Sequence, residues 1–327
     1  MNFSRRQAAT SLFAAAVALP ALTLGGGALA QGMPPDAEPI DETPTEVASG
    51  KDAYEHILAP VTINGQGPFQ FLIDTGANVS CISRELADRL TLSALPPARV
   101  NTVVGVRERP AVLIDHLQVG ERTRKLVHAP AMPFNRGIDG VLGVDWLKGQ
   151  RLELGFKGKT MGITRSRDDR PAEGSVIVPA QRRQGQLTIV DADLSGRRIS
   201  AMIDSGSQLT ICNSRLRQLV FEFDRRRGVD SPFLKVKMES LIGEVFWGEM
   251  MYLPFMRLGG LHLGNVPVVF ADMHVFDLWG LANKPAVVLG MDLLTQFDTV
   301  ALDYGRSQVR FDVSEPLVPP GKTMKPV

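Results

Sequence analysis

Between about residue 55 and residue 313 the apolar positions fall in short runs rich in Val, Ile, Leu, Phe and Thr. Turn-forming pairs break the runs at Asn64-Gly65, Gln66-Gly67, Ser195-Gly196 and Tyr304-Gly305. Branched and aromatic residues in short runs between tight turns predict β-strands, and the chain reads as all-β. Helical spacing is brief, with candidates at Ser83 to Leu90, Asp145 to Gly149, Asn213 to Val220 and Met291 to Phe297. Upstream, Gln31 to about Lys51 carries four prolines among five acidic residues and reads as a solvated leader.

The pattern repeats. Phe71-Leu72-Ile73-Asp74-Thr75-Gly76-Ala77-Asn78-Val79-Ser80 recurs as Ala201-Met202-Ile203-Asp204-Ser205-Gly206-Ser207-Gln208-Leu209-Thr210, with the two aspartates 130 residues apart. A second landmark, Gly140-Val141-Leu142-Gly143, recurs as Val287-Val288-Leu289-Gly290, with its final glycines 147 residues apart. The second half therefore holds about 17 extra residues between its landmarks, which places them in its flap region. Two lobes follow, residues 53–164 and 175–313, joined by a charged linker at 165–174 and trailed by a tail at 314–327.

Composition removes other possibilities. With 36 basic and 35 acidic side chains the net charge is +1, which offers nothing for nucleic acid or an anionic membrane to read. The 2 cysteines, Cys81 and Cys212, support no disulfide framework and no structural zinc site, and read as buried free thiols on separate lobes. His56, His116, His128, His262 and His274 show no metal spacing, and no cofactor is expected. Arg225-Arg226-Arg227 reads as a solvated loop. Residues 1–30 carry Arg5-Arg6, an apolar stretch interrupted by Pro20 and the small-residue site Ala28-Leu29-Ala30, an export signal with a twin-arginine flavour. Its removal would leave an exported, periplasmic or secreted chain with no stable membrane insertion.

A lone Asp-Thr/Ser-Gly triplet is weak evidence, but two of them, each ending an apolar strand and each followed by an apolar run and a glycine, form a constellation. Peptide hydrolysis needs a water made nucleophilic and a carbonyl made electrophilic in one place, and two carboxyl groups sharing one proton do both. Asp74 and Asp204 are the candidates, one per lobe. Gly76 and Gly206 let the chain turn sharply after each carboxylate.

On these residues the sequence resembles the aspartic peptidases of the retropepsin and pepsin type, over nearly everything from residue 55 to 313. The resemblance implies an all-β, bilobal acid-protease fold, two retropepsin-like β-barrel lobes related by a pseudo-twofold axis. It implies that Asp74 and Asp204 are catalytic and that the Thr75 and Ser205 hydroxyls bond across the axis. It implies flaps, at Asn101 to Arg107 around Gly105 and at Ser240 to Trp247 around Gly243, although the first lacks the tyrosine of pepsins. The substrate would be a peptide or protein segment in extended conformation. Because one chain supplies both half-sites, a monomer is expected. The alternative is a non-catalytic retropepsin-like module for peptide binding or assembly. Asp145 and Asp292, just after the landmark glycines, read as helix-start residues that cap backbone N–H groups.

Overall fold

The computed structural model describes residues 11–13, 17–18, 44–51, 56–135, 137–147, 149–168, 173–183, 186–228 and 233–313. The export-signal cleavage site, the Pro-rich stretch before residue 44 and the tail at 314–327 lie outside them.

The chain is an all-β, bilobal fold, and each lobe is built around one buried three-strand crossing. In the first lobe, Gln66–Ile73 runs beside Gly140–Leu142 in parallel, with Phe71, Leu72 and Ile73 opposite Gly140, Val141 and Leu142. Gly140–Leu142 also pairs antiparallel with Cys81–Ser83, which lies parallel to Arg122–Met132. The second lobe repeats this with Arg197–Ile203, Ala286–Leu289, Ile211–Cys212 and Leu261–Phe270. Parallel strands covered on both faces must be apolar where they pair, which is why Phe71–Ile73, Gly140–Leu142, Ala201–Ile203 and Ala286–Leu289 carry no polar side chain. Ile73, Leu142, Ile203 and Leu289 are all buried. Burying a side chain of this size contributes about 1.5–3 kcal/mol.

A six-stranded floor joins the lobes. Its order is Thr45–Ala48, Thr160–Arg165, Gln150–Gly155, Thr299–Asp303, Gln308–Asp312 and Ser175–Arg183. Where the lobes meet, Arg151 lies opposite Asp303 and binds it with both Nε and Nη2, at 3.2 and 3.1 Å, in a nearly fully buried ion pair.

Four sequence expectations change. Thr45–Ala48 is not leader but the outer strand of this floor, because Thr45 and Val47 turn inward, Thr45 buried and Val47 against the core. Arg165 belongs to a strand, and Ser166 and Arg167 are pinned to Asp303 and Arg151, so the linker begins later. Arg225 and Arg226 sit on a helix, Ser214–Arg227, whose N-terminus is capped by Asn213 accepting from Leu216 and whose C-terminus ends at Gly228 with φ +64°. Cations are favoured in a last helical turn, where the carbonyls point outward. The extra residues of the second lobe are not in its flap hairpin. They form the 14-residue Ser214–Arg227 where the first lobe has the 6-residue Arg84–Arg89, and a segment bearing the helix His274–Leu278.

Two short N-terminal strands add to lobe edges: Ser11–Phe13 to Leu234–Ser240, and Val17–Ala18 to Ser93–Thr102. Among the described residues no helix is long and apolar enough to cross a membrane.

Candidate active site

Asp74 and Asp204 leave the C-terminal ends of their strands at equivalent points. Each amide donates to the neighbouring landmark strand, Asp74 to Leu142 and Asp204 to Leu289, both at 3.0 Å. Asp74 Oδ1 accepts from Gly76 N at 2.7 Å and Ala77 N at 3.0 Å, and Asp204 Oδ1 accepts from Gly206 N at 2.9 Å. The inner oxygens are thus held by backbone donors, and both Oδ2 atoms are buried.

The Asp74 and Asp204 carboxyl groups are neighbours within interaction range of each other. Burial, then the charge of Asp204 and the hydrogen bond to it, hold the Asp74 carboxyl well above the usual range. Burial also pushes Asp204 up, to about 6, opposed by the hydrogen bond from Asp74, the Gly206 amide and the nearby His56. Desolvation disfavours charge on each group and their proximity disfavours two charges together, so both carboxyls are harder to ionise than in water.

Thr75 and Ser205 bond reciprocally between the lobes. Thr75 Oγ1 donates to Ile203 O at 2.8 Å and accepts from Ser205 N at 3.0 Å; Ser205 Oγ donates to Ile73 O at 2.7 Å and accepts from Thr75 N at 3.1 Å. Each hydroxyl therefore binds the strand that ends in the opposite aspartate. Gly76 fits because it has no side chain: a Cβ there would lie 2.5 Å from Asp204 Oδ2.

A second pair of networks holds these loops, and sequence reasoning missed it. Ser80 donates to Asp145 Oδ1 from N at 3.0 Å and from Oγ at 2.7 Å, and Ser80 Oγ accepts from Gly143 N at 3.1 Å. In the other lobe Thr210 donates to Asp292 Oδ2 and Oδ1 at 3.0 and 2.7 Å, and Thr210 Oγ1 accepts from Gly290 N at 3.2 Å. Asp145 and Asp292 do accept backbone N–H groups, but from the loop that follows each aspartate and not mainly from their own helical turns. The available signal was the repeat itself, which puts a hydroxyl six residues after each aspartate.

The hairpins around Gly105 and Gly243 exchange tips between lobes. Val103, between Ser93–Thr102 and Gly105–Val119, is buried in a cluster of second-lobe residues and its carbonyl accepts from His274 N at 2.9 Å. Leu241, between Leu234–Ser240 and Val245–Leu258, is buried in a cluster of first-lobe residues and its carbonyl accepts from Asn135 N at 3.1 Å. Arg107 Nε reaches Glu244 Oε1 at 3.4 Å from one hairpin to the other. His274 Nε2 lies 3.0 Å from Asn101 Oδ1, and Asn135 Nδ2 donates to Glu239 Oε1 at 2.9 Å. Cys81 and Cys212 are buried free thiols whose pKa values burial raises.

Comparison with known proteins agrees with this architecture. Residues 59–149 match the family described as "gag-polyprotein putative aspartyl protease", and residues 190–293 match the aspartyl protease family. Between them they cover more than half of the chain. Among solved structures, basic 7S globulin from soybean is similar in fold, with a TM-score of 0.50, 12% identity, and coverage of 84% of this chain and 97% of that one. No curated protein matches. With one aspartyl-protease unit in each half and both Asp-Thr/Ser-Gly loops at the junction, the chain belongs to the retropepsin-like aspartic peptidases, as a two-lobed member.

Proposed function

We propose that the chain is an aspartic endopeptidase in which Asp74 and Asp204 activate one water against a peptide carbonyl. The observation that carries this is the pair of neighbouring, buried carboxyl groups, one from each lobe, each with one oxygen fixed by backbone N–H groups. Aspartic peptidases are the standard case of two such groups sharing one proton. The ionised carboxylate takes a proton from water as its oxygen attacks the carbonyl carbon, and the protonated partner gives its proton to the carbonyl oxygen. The tetrahedral diol then collapses as the carboxyl that took the water's proton gives it to the amide nitrogen, the other carboxylate takes a hydroxyl proton from the diol, and the C–N bond breaks.

The Gly105 and Gly243 hairpins act as flaps over an extended peptide, and each chain works as a monomer because it carries both half-sites. The N-terminal Arg5-Arg6 and Ala28-Leu29-Ala30 pattern supports export. The test is incubation of the purified chain with a diverse peptide mixture and detection of new termini by mass spectrometry. Cleavage between internal residues is expected; binding of peptides with no new termini would instead identify a non-catalytic module.

The pH dependence follows from the dyad. Catalysis needs one carboxylate and one carboxylic acid. Below about pH 6 the Asp204 site fills with a proton and no base remains, whereas Asp74 keeps its proton well above the ordinary carboxylate range. Activity is therefore expected to rise through about pH 6 and persist into the neutral range, as a pH profile of kcat/KM on one cleaved peptide would show. A profile falling between pH 4 and 6 would contradict this assignment.

The Arg107–Glu244 pair should set how readily the flaps part. Arg107 is nearly half exposed, so the pair contributes less than about 1 kcal/mol. Glu244→Gln is expected to change kcat/KM by no more than about fivefold and to remove its dependence on salt between low and moderate ionic strength.

A further inference from the structure

The two flap hairpins are seated on different kinds of neighbour. Each tip rests on the segment of the opposite lobe that leads into its landmark strand. In the first lobe that segment is 133–139, between Arg122–Met132 and Gly140–Leu142; in the second it is 271–285, between Leu261–Phe270 and Ala286–Leu289. The longer second segment carries the helix His274–Leu278, and the first-lobe hairpin ends against it.

That seat is buried. Val103, at the first tip, is 2% exposed and shares its cluster with Met273, Val275, Phe276, Trp279 and Leu281. Its carbonyl accepts from His274 N at 2.9 Å, and His274 Nε2 lies 3.0 Å from Oδ1 of the buried Asn101. The segment is fixed in turn to its own lobe. Asn213 Nδ2 donates to Leu281 O at 3.0 Å and to Lys284 O at 2.8 Å, and the Phe276 and Trp279 rings meet edge to face at 6.4 Å. Lifting this hairpin draws Val103 out of an apolar cluster and breaks the Asn101–His274 contact.

The second-lobe hairpin has a thinner seat. Leu241 is buried, but among the described residues of 133–139 only Ile138 is buried with it. Asn135 donates from N to Leu241 O at 3.1 Å and from Nδ2 to Glu239 Oε1 at 2.9 Å, and it is exposed, so water replaces its side-chain bond as that bond breaks. The Arg107–Glu244 pair joins both hairpins and favours neither. Segments held by few buried apolar contacts and by solvent-exposed hydrogen bonds are the ones that open locally.

We propose that the second-lobe hairpin is the flap that opens to admit substrate, and that the first-lobe hairpin is a fixed roof positioned by His274 and the segment 271–285. This rests on the reading of the hairpins as flaps. His274 is a positioning residue: it acts through Asn101 and Val103, holding one side of the groove in place while the other side moves.

The test is hydrogen exchange by mass spectrometry on the full chain carrying Asp204→Asn, in which turnover plays no part, so its outcome is separable from that of the catalytic proposal. Relative to intrinsic rates, the amides of 239–245 are expected to exchange at least about tenfold faster than those of 101–107. Adding His274→Ala should accelerate 101–107 by about tenfold and leave 239–245 unchanged, whereas His274→Gln, whose amide can still donate to Asn101, should retain most of the protection. Asn135→Ala should accelerate 239–245 alone. Equal or faster exchange of 101–107 in the parent, protection of 101–107 indifferent to His274→Ala, or a His274→Gln chain as fast as His274→Ala would each overturn the proposal.

Discussion

Asp204→Asn is expected to lower kcat/KM for peptide hydrolysis by about 10³- to 10⁴-fold while leaving the fold intact. The amide keeps an oxygen where Gly206 N now donates, at 2.9 Å, so the loop geometry survives. What it cannot do is accept the proton of the attacking water. Stability offers a second readout. The Asp204 carboxyl is raised to about 6 by burial from an ordinary value of 3.8, so the folded chain holds this proton more tightly than the unfolded chain does. The stabilisation is complete below about pH 4 and is lost as the pH rises through about 6. Asparagine has no proton to lose. The melting temperature of the variant, relative to the parent, is therefore expected to climb between pH 4 and pH 7. Loss of activity with a falling relative melting temperature would mean that Asp204 is structural.

Gly290→Ala is expected to be the most damaging single methyl added to the second lobe. A Cβ at Gly290 would lie 2.3 Å from the carbonyl oxygen of Leu209 and 2.4 Å from its carbon, both backbone atoms. Leu209 cannot retreat, because its neighbour Thr210 is bound to Asp292 through N and Oγ1 at 3.0 and 2.7 Å and accepts from Gly290 N itself. Overpacking against fixed backbone costs on the order of 3 kcal/mol, which lowers the melting temperature of a protein this size by roughly 6–12 °C. Because the displaced loop is the one that begins at Asp204, activity should fall by more than the unfolded fraction accounts for. Thermal melting and kcat measured well below the transition separate the two effects. Gly143→Ala, with contacts of 2.8 Å to Ala77 O and Val79 C, should do the same to a smaller degree in the first lobe.

Much of this architecture can be read from the chain because it depends on local grammar repeated twice. An apolar strand running into Asp74-Thr75-Gly76, and again into Asp204-Ser205-Gly206, marks both loops, and Gly143 and Gly290 mark the strands that pass behind them. The tertiary contacts were hidden. Nothing near Val103 or Leu241 says that each tip is buried among residues of the opposite lobe, since their partners His274 and Asn135 lie more than 100 positions away. Asp145 and Asp292 look like helix starters because they precede short helical turns. Their hydroxyl partners Ser80 and Thr210 become visible only when strand crossing folds each loop back on its landmark glycine. The 17-residue surplus of the second half was misplaced for a related reason: an offset between landmarks locates an insertion no more finely than the interval between them. The structure divides it between the longer helix Ser214–Arg227 and the segment carrying His274–Leu278.

The central claim is that two carboxyl groups, one from each lobe, activate water directly with no covalent intermediate. Single-turnover cleavage in water enriched in oxygen-18, read by mass spectrometry of both the products and the intact protein, tests it most directly. The account predicts one oxygen-18 atom in the new C-terminal carboxylate and an unmodified protein mass at every time before completion. A protein species heavier by the mass of the acyl fragment would contradict it.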